Sequence, residues 1–357
     1  MSFVERSVPF IPNPVNLEKS CILVAGAAGF VPSHLSEFYL KRGARVIGLD
    51  NFITGQHANV ELLSAYKNFE FHEVDIIERL PETLYREKVD YIFNMASPAS
   101  PIDFSRIPIE IMRVNSEGTR RLLELARVQG ARILEASTSE VYGDPEVHPQ
   151  VESYVGHVEI NGPRSCYDEA KRFAEAMTSS YRMKYGVDTR IIRIFNTYGP
   201  RMRANDGRVI PNFINQALQG EDITVYGDGG QTRSFCFVTD LVAAIHEVMF
   251  CNDHTPFNIG NPEEKTILET AKLIVEILNS KSKIVFKELP KDDPTRRRPC
   301  LAKLQAVSSY RPLIDFRSGM MATADYFSAL APASLEKSPL HDSFRPTKCS
   351  QSYTNSI

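Results

Sequence analysis

The stretch CILVAGAAGFVPSHL, residues 21–35, carries five apolar residues into a glycine turn and out into an amphipathic segment. Gly26 and Gly29 at GxxG spacing fit a strand that stops, turns sharply and starts a helix at once. After LSEFYLKRG a second apolar run, RVIGLD, returns the chain to strand. One helix between two strands is the rhythm of a βαβ unit, which makes the two strands parallel. FEFHEVD, VDYIFNMAS, ARILEAST and TRIIRIFN continue the pattern with helix-like segments between most of them. Their near-continuous apolar content is expected of strands covered on both faces.

The expected fold class is therefore α/β: a Rossmann-like doubly wound parallel sheet with a smaller, interleaved α/β substrate domain. Residues 1–19 read as an N-terminal extension and 20–197 as the dinucleotide-binding domain. Past Asn196 the rhythm loosens into TYGPRMRANDGRVI, and 198–233 with 261–332 form the substrate domain. The strand and helix in SFCFVTDLVAAIHEVMF, within 234–260, are expected to rejoin the first domain. Residues 333–357 are polar and poor in large apolar groups, which predicts a disordered tail.

Bulk properties narrow the function. The 357 residues are 43% hydrophobic and 24% charged, a soluble composition, and a net charge of -3 gives no field to draw nucleic acid or an anionic membrane. No apolar run approaches the ~20 residues of a membrane span, and the N-terminus lacks a basic start followed by an apolar stretch, so a cytoplasmic protein is expected. The six cysteines form no CxxC pair and the eight histidines no HxxxH pair, so reduced thiols and no metal site are expected.

A glycine turn brings the backbone close to a pyrophosphate, whose charge sits against free N–H groups at the helix start. Asp50 closes the next strand where a carboxylate accepts hydrogen bonds from an adenosine ribose and repels a 2′-phosphate. NAD is thus expected in preference to NADP. The bland alternative makes the glycines only a turn and Asp50 a loop-entry residue. Pro32 stands where a third glycine would let helix and strand pack tightly; it is tolerated in a first helical turn but biases Val31 away from the helical conformation.

In GPRSCYDEAKRFAE, Ser165 and Asp168 fit a helix start, and Ala170, Phe173, Ala174, Met177 and Tyr181 follow at helical spacing. Tyr167 and Lys171 then share one face a turn apart. An ammonium beside the phenol, with a nicotinamide cation nearby, would favour the phenolate; bringing tyrosine from about 10 to near 7 takes about 4 kcal/mol. Such a phenolate takes a proton from a hydroxyl while hydride leaves the same carbon. Without the nucleotide-binding half before it, the pair would be an ordinary surface i,i+4 pair.

The blocks GAAGF, Asp50, ASTSEVYGDPEVHPQ, NGPRSCYDEAK, RIFNTYGPRM, NDGRV and VYGDGGQTRSF resemble the extended short-chain dehydrogenase/reductase superfamily. Within it, from about residue 20 to about 316, the chain is most similar to the UDP-glucuronate decarboxylases, or UDP-xylose synthases. The resemblance implies that Tyr167 is the general base and acid and that Lys171 lowers its pKa and holds the nicotinamide ribose. It implies that Thr138 shares the sugar's 4-hydroxyl, with Ser139 and Glu140 beside the carbon bearing the carboxylate and Arg297 near that carboxylate. Asn196, Arg208, Tyr226 and Arg233 would contact the UDP part. Gly26, Gly29, Phe30, Val31, Asp50, Asn51, Phe52, Thr54 and Gly55 would hold the cofactor, with Asp75 and Ile76 at the adenine and Met95 and Ser97 lining its cleft.

Related 4,6-dehydratases have an Asp–Glu pair where this chain has Ser139–Glu140, and epimerases lack the glutamate. Arg121, Glu124, Val128 and Cys300 depart from the family, Cys300 at an expected helix cap. The implied reaction is NAD-dependent decarboxylation of UDP-glucuronate to UDP-xylose through a 4-keto sugar, with NAD regenerated. The implied partner is a second copy, packed through the helices containing Tyr167 and Arg121, and neither nucleic acid nor membrane. The rival readings are a nucleotide-sugar 4,6-dehydratase or 4-epimerase, and a non-catalytic dinucleotide-binding regulator; Arg297 also has the alternative of a solvated basic patch.

Overall fold

A computed structural model describes residues 17–288 and 296–334. The expected N-terminal extension lies outside the described residues up to position 16, and the expected tail from position 335 on, with Cys349.

Seven strands form one sheet: β1 (Cys21–Ala25), β2 (Arg45–Asp50), β3 (Phe69–Glu73), β4 (Tyr91–Asn94), β5 (Arg132–Thr138), β6 (Thr189–Ile194) and β7 (Phe257–Ile259). Their order is β7-β6-β5-β4-β1-β2-β3, every pairing parallel. From β1 the chain builds outward to β3, then returns to lay β4 against the other side of β1. That reversal is a topological switch point, where helices diverge and leave a crevice at the carboxyl ends of the strands.

Side-chain alternation explains why the strands are apolar throughout. Ile22 and Val24 of β1 enter one core with Leu35 and Tyr39 of α1 (Phe30–Leu40) and Leu241 and Ile245 of a later helix. Cys21, Leu23 and Ala25 enter the opposite core with Leu122 and Leu125 of α2 (Thr119–Gln129). Truncating a fully buried side chain such as Leu23 to alanine costs about 2–5 kcal/mol.

Tyr167 and Lys171 lie on α3 (Ser165–Tyr185), which packs on β5 and ends at Gly186 in the left-handed region. The helix carries no side-chain cap, and its cap residue is Arg164. Ser165 is thus the first helical residue rather than the expected cap. Phe173, expected on the apolar stripe, is 51% exposed, whereas Ala170 and Ala174 are buried. The helix near Cys300 spans Ala302–Val307 with Leu301 at its cap, so position 300 is not the cap either.

Helix α4 (Val238–Phe250) packs on α1, and the chain then enters the main sheet as β7 against β6. A separate core, including Phe213, Ile223, Val225, Ile267 and Ile274, supports a second lobe. There Thr232–Ser234 is the middle of a three-stranded sheet with Glu264–Thr266 and Arg296–Arg297.

Candidate active site

The carboxyl ends of β1, β2, β4, β5 and β6 open onto a cavity of about 1610 Å³ that reaches into the second lobe. Every site residue expected above lines it except Phe52. Phe52 adopts φ 56 and stacks its ring on His57, centroids 3.9 Å apart, at the mouth of a smaller neighbouring pocket. Its part in the main cleft is through the backbone: its N–H donates to Asp50 Oδ1 at 2.8 Å.

The glycine turn is built for close approach. Gly26 has φ +81, and a Cβ there would lie 3.0 Å from Ala96 Cα, on the strand loop across the switch point. Asp50 Oδ2 accepts from Ala28 N–H at 3.0 Å, tying the turn to the end of β2. At Gly55 a Cβ would come within 2.7 Å of Asp50 Oδ1, so the loop after β2 closes over the carboxylate only without a side chain. Burial pushes the Asp50 carboxyl up, against the backbone N–H groups of Phe52 and Ala28. Val31 and Pro32 both lie in α1, where Gly29 is the cap with no side chain bonded to it. The expected bias of Val31 is overridden because Pro32 falls in the first turn, where its missing N–H breaks no helical bond. Asn51 Nδ2 donates to Asp75 Oδ2 at 2.9 Å and links the ends of β2 and β3. A turn flanked by two glycines, an uncapped helix start and a carboxylate at the end of β2 fit a dinucleotide whose ribose is unphosphorylated.

Tyr167 is 5% exposed, stacked on Phe104 at 4.9 Å, and hydrogen-bonded to Thr138 at the end of β5. Its surroundings differ from the sequence expectation. Burial pushes the phenol up, Thr138 pulls it down, and Glu140 and Asp168 push it up again. Lys171 is spent elsewhere: Nζ donates to Ala136 O at 2.7 Å and lies 3.9 Å from Glu135 Oε1. Burial is the largest of these effects, Arg208 also pulls the phenol down, and Lys171 is not among the groups that act on it.

Glu140 sits in a two-arginine clamp. It pairs with Arg297 Nη1 and with Arg164 Nη2, the latter at 2.5 Å. Burial alone would raise its carboxyl, but Arg297 and Arg164 outweigh burial and hold it below the usual range. Of three consecutive arginines only Arg297 points inward, because strand pairing of Arg296–Arg297 with Thr232–Arg233 alternates their faces. Arg297 is 4% exposed, also donates to Gly143 O at 3.1 Å, and keeps a buried Nε with no hydrogen-bond partner.

At the far end, Arg233 reaches the cavity from the second lobe, Tyr226 is 45% exposed, and Asn196 keeps a buried Oδ1 without a partner. Arg208 is held by both oxygens of Asp206. Arg164 and Asp206 lie within the blocks NGPRSCYDEAK and NDGRV but have no role in the sequence reading, and Phe104 and Glu135 lie outside every block. Asp206 could be suspected from its place two residues before Arg208, and Glu135 from being a charge in an apolar strand. For Phe104 no local signal exists.

Residues 22–260 match the NAD dependent epimerase/dehydratase family. The chain belongs to that family. NAD is accordingly its cofactor. UDP-glucuronic acid decarboxylase 1 of Danio rerio is 50% identical over 311 residues, covering 87% of this chain and 73% of that protein. An epimerase of Methanothermobacter thermautotrophicus superposes with a TM-score of 0.81 at 28% identity, over 88% of this chain and 94% of that one. UDP-glucuronic acid 4-epimerase of Bacillus cereus, solved with UDP-glucuronic acid and NAD, gives 0.79 at 26% identity, over 87% and 99%. The fold is thus shared by epimerases and decarboxylases, and the side chains around the sugar site have to distinguish them.

Proposed function

We propose that the protein decarboxylates UDP-glucuronate to UDP-xylose. The observation that carries this is Arg297: a buried guanidinium clamped to Glu140 and lining the same cavity as Tyr167. A sugar carboxylate in that cavity pairs with the guanidinium's charge, and a neutral hydroxymethyl group does so far less well. The 50% identity with the zebrafish decarboxylase supports the same reading.

When bound, NAD supplies a hydride acceptor for the sugar's C4 that later returns the hydride, and a positive charge on its nicotinamide ring. Gly26, Gly29 and the start of α1 hold its pyrophosphate, and Asp50 its adenosine ribose. With that positive charge beside it, Tyr167 Oη acts as the phenolate and takes the proton of the 4-hydroxyl, with Thr138 orienting that hydroxyl. Arg297 holds the carboxylate on C5, so that with a ketone at C4 the C5–C6 bond breaks, carbon dioxide leaves, and its electron pair passes into the C4 oxygen. Tyr167 donates to that oxygen as charge develops there. Ser139 and Glu140 flank C5, where a proton from water replaces the lost carboxyl group. Arg233, Arg208 and Asn196 hold the UDP part, whose binding energy keeps the sugar in place across these steps. In this reading residues 198–233 and 261–332 make the substrate lobe.

Incubation with NAD and UDP-glucuronate is expected to release carbon dioxide and give UDP-xylose. UDP-galacturonate without carbon dioxide would make it an epimerase; NAD binding with no turnover would make it a regulator. A homodimer is part of the same proposal. Ile109, Met112 and Phe173 are 61%, 47% and 51% exposed on helices packed together beside Tyr167. Light scattering is expected to give twice the chain mass, and Phe173→Glu to give monomer; a monomeric native protein refutes it.

A further inference from the structure

Glu135 is a carboxylate in the interior of β5, 1% exposed, and a charge so placed survives only if something holds it. Its Oε2 accepts from Asn94 Nδ2 of β4 at 2.6 Å, and the same amide donates to Thr119 Oγ1 of α2 at 3.0 Å. Its Oε1 has no hydrogen-bond partner and faces Lys171 Nζ at 3.9 Å. Lys171 lines the cavity and Glu135 does not. One ammonium therefore has the cleft before it and a carboxylate behind it.

The other acid acting on the lysine is Glu175, one turn further along α3. Its oxygens are already taken: Arg193 of β6 donates to both, at 2.9 and 2.8 Å, and Ser137 to one, at 2.5 Å. Glu135 has Asn94 but no arginine. Its charge is the one left for Lys171.

We propose that Glu135 is a positioning residue for Lys171, a carboxylate behind the cleft that keeps the lysine charged and pinned against β5 where it faces the cofactor. This rests on the reading of the cleft as an NAD site served by Lys171. Burial drives Lys171 toward the neutral amine, and Glu135 opposes it. Burial likewise raises Glu135, and Lys171 opposes that. A lysine is charged below its pKa, so removing the carboxylate moves the loss of charge to lower pH.

Glu135→Gln keeps an oxygen for Asn94 and removes only the charge; Glu135→Asp keeps the charge on a shorter arm. The glutamine variant is expected to lose NAD affinity with rising pH about one unit earlier than the native protein, a loss of about tenfold on the alkaline side. The aspartate variant is expected to recover most of it. A glutamine variant with the native pH profile of NAD binding overturns the proposal, since a merely structural role is met by an isosteric amide. If the glutamine variant fails to fold, the native chain still decides: competitive acetylation of amines, read at Lys171 by mass spectrometry across pH, is expected to find an ammonium through neutrality. A Lys171 that reacts as a free amine at neutral pH refutes it. Binding and labelling both report the pair even if the product proves not to be UDP-xylose, so failure of this inference and failure of the proposed reaction are separable.

Discussion

Replacing Arg297 by glutamine removes one of the two guanidiniums on Glu140 and the positive charge assigned to the substrate carboxylate. Two costs follow. Breaking a buried ion pair by removing one partner costs about 3–5 kcal/mol, but Arg164 stays at 2.5 Å and Glu140 is 16% exposed, so about 2 kcal/mol of stability is the expected loss. Catalysis loses a charged hydrogen bond of about 1.5–3 kcal/mol, which is roughly a 10- to 150-fold fall in kcat/KM for carbon dioxide release. The stability term has a definite pH signature. Glu140 is held below its ordinary 4.5, so its contribution is full above that value and is lost as pH falls through the lower folded value. The difference in unfolding free energy between native protein and variant should therefore be constant near neutrality and shrink in acid. Denaturant melts from neutral to acid pH check the first part. Carbon dioxide release with UDP-glucuronate, beside NAD binding as a control, checks the second. A variant that binds NAD normally and decarboxylates within threefold of the native rate would refute Arg297 as the carboxylate's holder. A stability gap that widens in acid would refute the clamp.

Tyr167→Phe removes the phenolic oxygen while keeping the ring stacked on Phe104; turnover is expected to fall about 10²–10⁴-fold, with NAD and UDP affinities nearly unchanged, and normal UDP-xylose formation would eliminate the tyrosine as acid and base. Gly26→Val puts a β-branched residue at φ +81 with its Cβ 3.0 Å from Ala96 Cα, a strain of about 1–3 kcal/mol at the phosphate turn. NAD affinity measured by titration should drop about tenfold or more while the UDP end still binds UDP; unchanged NAD affinity would show that the turn does not approach the cofactor. Asp206→Asn releases Arg208 from its bidentate carboxylate, and the expected outcome is a KM for the nucleotide sugar changed about tenfold with kcat within threefold. A kcat loss without a KM change would move Arg208 from the nucleotide end to the reacting sugar.

What the sequence discloses and what it conceals divide along the distance between partners. The parallel sheet could be read because each strand announces itself within a few residues: CILVA, RVIGLD and YIFN are apolar on both faces. The glycine turn is equally local, and so is the placing of Tyr167 and Lys171 on one helical face. Charge states are different, since they depend on groups brought together by the fold. Glu140 and Arg297 lie 157 positions apart, and only the pairing of Arg296–Arg297 with Thr232–Arg233 selects the middle arginine of three. Phe104 and Tyr167 stack only because the helix Pro101–Arg106 rises from the loop after β4. The phenol is the sharpest case. From i,i+4 spacing, Lys171 should act on Tyr167; in the fold it bonds the Ala136 carbonyl and faces Glu135, contributed by the strand beneath it. A helical register brings two side chains to one face, but a buried cation answers to the nearest carboxylate in three dimensions. The tyrosine's reactivity must therefore be tuned through Thr138, Arg208 and what the cleft takes up, with Lys171 acting as a fixed charge anchored from behind. If so, a change at Glu135, which does not line the cavity, alters the pH dependence of the site through Lys171, whereas Arg208, though paired with Asp206, acts on the Tyr167 phenol itself.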